Sequence, residues 1–216
     1  MMDAAGRPHG ADDTDEAMML HCIALARSAR QRGELPYAAI ISQRGQFVCG
    51  SPNMASTDRD VTHHAELVAI SMAQKELGTV SLHECTLYSL VEPCPMCAYA
   101  VRETRIRRVV YGLRSPVMGG HTRWNILGDH ALSIRMPEVF AAPPEIVAGY
   151  LQEEAVAAIR NWNSAFWWII KGRGILTTTP ADPDGRHMNG AAHSEMGFRL
   201  RMAAIFRPAI DRIWRS

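Results

Sequence analysis

Apolar positions along this chain fall either at helical spacing or in short unbroken runs. From Thr14 to about Arg32 they recur at helical spacing, with Met18, Cys22, Leu25 and Ala29 on one face and Gly33 as a stop. Thr14, Asp15 and Glu16 supply a capping hydroxyl and acids for the first turn. Short apolar runs follow. Residues 37–41 and 46–50 flank Gln43, Arg44 and Gly45 and predict a two-stranded hairpin. Residues 85–90, 107–111 and 145–150 predict three further strands. Helical patterns separate them: one from His64 to near Gly78, one starting at Cys94, and one over 152–171. The last of these places Ala155, Ile159, Trp162, Phe166 and Ile169 on one face, and Gly172 and Gly174 end it. A hairpin followed by alternating helix and strand predicts an α/β fold. The expected form is three-layer α/β/α around a central mixed five-stranded sheet, its later strands parallel because helices cross between them.

Outside that pattern the chain reads differently. Residues 1–13 are rich in Gly, Pro, Asp and Ala without periodicity and are expected to be disordered. Residues 14–174 form the folded domain, 175–196 a linker by composition, and 197–216 a basic amphipathic C-terminal segment. That last segment carries five Arg against one Asp among Leu200, Ile205, Phe206, Ile210 and Trp214. It is expected to pack its apolar face on protein in preference to nucleic acid.

Charge and cysteine usage narrow the function classes. The 216 residues carry 23 basic and 22 acidic side chains, a formal charge of +1, which gives no bulk case for nucleic-acid binding. Five cysteines do not make a disulfide framework. No apolar run is long enough to span a bilayer, so a soluble cytoplasmic protein is expected.

The chemistry concentrates in residues 62–97. His64, Cys94 and Cys97 offer one imidazole and two thiols, the ligand types zinc prefers, with the thiols three residues apart. Three protein ligands leave one tetrahedral position for water. Glu66 stands two residues after His64 as a proton carrier. Inside a helix, i and i+2 point apart, so His64 and Glu66 can share one metal only at a helix end. Pro95 suits a first helical turn, placing Cys94 and Cys97 at a second helix start, where the dipole favours thiolates. Two helix N-termini facing across a zinc is the implied geometry. A redox pair would not need His64 and Glu66. A structural zinc site would need a fourth ligand, for which His63, His83 or Cys85 are available.

The His64-Ala65-Glu66 and Pro93-Cys94-Pro95-Met96-Cys97 motifs together resemble the zinc-dependent cytidine and nucleobase deaminase superfamily, well over residues 35–111. The resemblance implies one Zn²⁺ per chain and hydrolytic removal of an exocyclic amine, with Glu66 moving the protons. It implies a substrate contact from Asn53, with Ala65 also expected at the base. Independently of the resemblance, His121, Arg123, Trp124 and Asn125 have the side chains to close over a base by stacking and hydrogen bonding, or to anchor their loop and pack the core. His63 is expected to be a bystander or pocket wall. It also implies a homodimer. Glu92 to Cys97 is similar to guanine deaminases, whereas tRNA adenosine deaminases usually have valine where Pro95 stands. Residues 112–116 lack the Asp and Lys of the tRNA enzymes, yet 105–112 is close to them. A small purine-type base, guanine first, is the expected substrate. A tRNA adenosine deaminase, and a catalytically idle module binding RNA or protein, stand as alternatives.

Overall fold

The computed structural model describes residues 13–178; expectations for 1–12 and 179–216 lie outside the described residues. The elements run α1 (Asp13–Arg27), β1 (Ala38–Gln43), β2 (Gln46–Pro52), α2 (Ala65–Leu77), β3 (Cys85–Val91), α3 (Pro95–Glu103), β4 (Arg108–Leu113), α4 (His130–Arg135), β5 (Glu145–Ala148), α5 (Gln152–Trp162) and α6 (Ser164–Gly172). The five strands form one sheet in the order β2-β1-β3-β4-β5. β1 is antiparallel to both β2 and β3, while β3, β4 and β5 run parallel. The mixed five-stranded sheet expected from the alternation is present.

Strand alternation divides the core into two layers. Ile40, Tyr88, Leu90 and Val110 face α1, α5 and α6, packing on Met19, Cys22, Ile23, Ala155, Ile159 and Trp167. Ala39, Ile41, Leu87, Val109 and Tyr111 face α2 and α3, packing on Ala65, Ala69, Ala98 and Val101. Gly112 permits close approach of α5: a Cβ there would lie 2.8 Å from the Leu90 carbonyl and 2.9 Å from the Ala155 methyl. No helix among the described residues is long and apolar enough to cross a membrane.

Two helical expectations need correction. The pattern over 152–171 is two helices, because Asn163 leaves the helix with an extended backbone (φ −161°, ψ 111°) and its side chain accepts from Phe166 N to cap α6. The break re-phases the face: Trp167 and Ile170 are buried, and Phe166 and Ile169 only half-buried. In α1 the buried face is Met19, Cys22, Ile23 and Ala26, and it includes Asp15. The last turn of that run, Ser28–Arg32, tightens to a 3₁₀ helix before Gly33.

Asp15 is an acid in the interior. Arg108 at the start of β4 donates to it through both terminal nitrogens, Nη1 to Oδ1 at 2.6 Å and Nη2 to Oδ2 at 2.8 Å, and Tyr88 donates to Oδ1 at 2.9 Å. Removing one partner of such a buried pair strands the other charge. Asp15→Ala is therefore expected to lower unfolding free energy by about 3–5 kcal/mol, read from the denaturant midpoint. A shift under about 1 kcal/mol would reduce the pair to the worth of a surface ion pair.

Candidate active site

β2 and β3 are both antiparallel to β1, so their carboxyl ends share one edge of the sheet. The chain leaves that edge twice and each time enters a helix, which puts two helix N-termini in the crevice beyond the strand ends. His64 is the N-cap of α2 (φ −63°, ψ 148°) and Cys94 the N-cap of α3 (φ −66°, ψ 170°), with Pro95 in the first turn. Cap positions explain how the His-x-Glu and Cys-x-x-Cys pairs converge, because their side chains point past the helix end.

The three donor atoms form a small triangle. His64 Nδ1 lies 3.5 Å from Cys94 Sγ and 3.6 Å from Cys97 Sγ, and the sulfurs are 3.6 Å apart. A tetrahedral zinc with bonds of about 2.3 Å to sulfur and about 2.0 Å to nitrogen separates its donors by roughly 3.5–3.8 Å. The triangle therefore fits three vertices of such a site. Among the described residues no fourth His, Cys, Asp or Glu joins the group. The sequence-level candidates for a fourth ligand are elsewhere. His63 Nδ1 is 2.6 Å from Asp58, His83 pairs with Ser81, and Cys85 is buried at the start of β3.

Electrostatics agree with a cation site. The adjoining Cys97 sulfur, aided by His64 and opposed by burial, pulls the Cys94 thiol down to about 4. Cys97 is pushed up by the neighbouring Cys94 sulfur and by its own burial. Glu66 is buried and raised above the usual carboxylate range chiefly by desolvation, with the Cys94 charge adding to it. The Ser89 hydroxyl is 3.3 Å from Glu66 Oε1 and 2.7 Å from the Val91 carbonyl.

Residues 12–113 match the family model described as the cytidine and deoxycytidylate deaminase zinc-binding region. A tRNA-specific adenosine deaminase of Bacillus subtilis is 37% identical over 141 residues, covering 65% of this chain and 83% of that protein. The chain belongs to this zinc-dependent deaminase family. A second tRNA-specific adenosine deaminase, from Agrobacterium fabrum, is 43% identical over 137 residues, 63% of this chain and 86% of the relative. Among solved structures, a guanine deaminase from Nitrosomonas europaea aligns with a TM-score of 0.57 at 25% identity, covering 71% of this chain and 86% of that one. The protein is thus a hydrolytic deaminase with a zinc cofactor and the cytidine deaminase-like fold.

In this deaminase the other expected site residues fall into two groups. Asn53, just beyond β2, and Ala65, first in α2, are buried at the same sheet edge as the donor triangle. Arg123, Trp124 and Asn125 are exposed, on a loop after β4. The Arg123 guanidinium sits 5.4 Å from the Trp124 ring centre, and Asn125 adopts a left-handed turn (φ 50°).

Sequence reasoning missed what holds that loop. Glu92 is buried and accepts from Ser115 N, His121 N and Thr122 N at 2.8, 2.9 and 2.6 Å. The loop comes so close that a Cβ at Gly119 would lie 2.0 Å from Glu92 Oε1. Arg102 on α3 is buried and donates to the carbonyls of Ile126, Leu127, Asp129 and Ala141 and to the Ser133 hydroxyl. Only the adjacency of Glu92 to Cys94 hinted at the first anchor. Nothing local marks the second.

Proposed function

We propose that this chain deaminates a small purine-type nucleobase, guanine being the first candidate, and releases ammonia. His64, Cys94 and Cys97 hold the zinc, Glu66 carries protons, and Asn53 with Ala65 and the 123–125 loop meets the base. Zinc held there would lower the pKa of water to about 7. Glu66 takes one proton from the water that attacks the carbon bearing the amine and passes it to the ring nitrogen. It then takes the second from the hydroxyl of the tetrahedral adduct and passes it to the amine, which leaves as ammonia. Its raised affinity for protons, caused by burial, suits a group that must both accept and return one.

The observation that carries the reading is the donor triangle with a buried carboxyl beside it and no fourth protein ligand among the described residues. The net charge of +1 favours a small substrate over a polyphosphate chain, whose binding draws on many cationic side chains. The identity to tRNA adenosine deaminases supports a second reading, adenosine in tRNA. We place the enzyme in the cytoplasm as a homodimer. Ammonia release from guanine, adenine, cytosine and their nucleosides, beside inosine formation in tRNA, separates the readings. Release from a free purine base is expected; activity on tRNA with none on free bases would overturn the first reading.

A further inference from the structure

Glu34 is a carboxylate in the interior, 0% exposed, placed between Gly33 and the Pro36 that precedes β1. One oxygen accepts from the Thr57 backbone N–H at 2.6 Å and the other from the Asn53 side-chain amide at 2.8 Å. Burial alone would raise its proton affinity. The bonds from Thr57 and Asn53 outweigh burial and hold Glu34 below the usual carboxylate range. A carboxylate accepts and cannot donate, so it dictates which end of the Asn53 amide faces it. Nδ2 must point to Glu34, and the carbonyl oxygen Oδ1 is turned away from it.

Asn53 is tied to the site by its backbone. Its N–H donates to the Tyr37 carbonyl at 2.8 Å, and the next N–H, of Met54, donates to the carbonyl of His63 at 3.0 Å, one residue before the zinc ligand. The amide therefore stands at the crevice edge with one end fixed.

We propose that Glu34 is a positioning residue that locks the Asn53 carbonyl oxygen toward the substrate, so the site selects ring systems presenting an N–H donor at that edge. This rests on Asn53 meeting the base in the proposed function. The alternative orientation would present the amide nitrogen and favour a ring acceptor instead. A backbone-built pocket would not make that choice, because only the ionised neighbour forbids the flip.

Charge reversal of the pair tests it. In Glu34→Gln the new amide can still accept from Thr57 and now donates to Asn53, which must flip to answer it. Stability should hold, while kcat/KM on guanine falls roughly 10- to 100-fold, mainly through KM. Asn53→Asp alone sets two carboxylates against each other and should lose both stability and activity. The double variant Glu34→Gln/Asn53→Asp restores the bond in the opposite sense and again offers an acceptor to the ring. It should regain kcat/KM to within roughly tenfold of the parent. Unchanged activity in Glu34→Gln would overturn the proposal, as would a double variant that recovers Tm without activity. Unchanged kcat/KM in Asn53→Ala would remove its basis. If the parent releases no ammonia from guanine, adenine or cytosine, the small-base reading falls by itself, and the same series scored on inosine formation in tRNA decides Glu34.

Discussion

Glu66→Gln is expected to keep one zinc per chain and to lose turnover by about 10²–10⁴-fold. Glutamine matches the carboxyl in shape and can keep the contact with Ser89, 3.3 Å from Oε1, so the fold and the donor triangle should survive. What it cannot do is take a proton from water and return it. The loss should therefore appear in kcat and kcat/KM alike, the signature of an interaction made in the transition state. Metal content measured beside ammonia release checks both halves. Unchanged turnover would defeat the proton-carrier assignment, and loss of metal would make Glu66 part of the ion's support.

Cys97→Ser is expected to abolish both metal retention and activity. Cys97 is fully buried and contributes two edges of the donor triangle, each 3.6 Å. A serine hydroxyl is shorter, and it stays protonated where a thiol would yield its proton to the ion. A chelator should likewise silence the parent, and added zinc should restore it; the variant should not respond. Because a bound ion stabilises only the folded state, the parent's Tm should fall on chelation while that of Cys97→Ser stays put. A variant that still carries one zinc per chain and releases ammonia would sink the three-ligand reading.

Much of this site was legible because its determinants are local. A proline after Cys94 and a one-residue gap between His64 and Glu66 are helix-start signals, and both helices do begin there. The strands were legible for the same reason, as short apolar runs that the sheet buries on both faces. What escaped was set by partners far away in the chain. Asp15 reads as an ordinary first-turn acid until Arg108, 93 residues on, is folded against it. Glu34 shows no periodicity, and its meaning comes from Asn53, 19 residues later. The break at Asn163 is a case of competition, in which a side chain capping α6 overrides a helical pattern that continues across it.

The paired anchors on the segment after β4 have a corollary. Glu92 fastens it up to Thr122 and Arg102 fastens it from Ile126 onward, leaving Arg123 and Trp124 as outward side chains on an already secured backbone. Mutations at those two positions should tax the scaffold little, so exchanging them probes the proposed contact with the base while leaving the donor triangle intact.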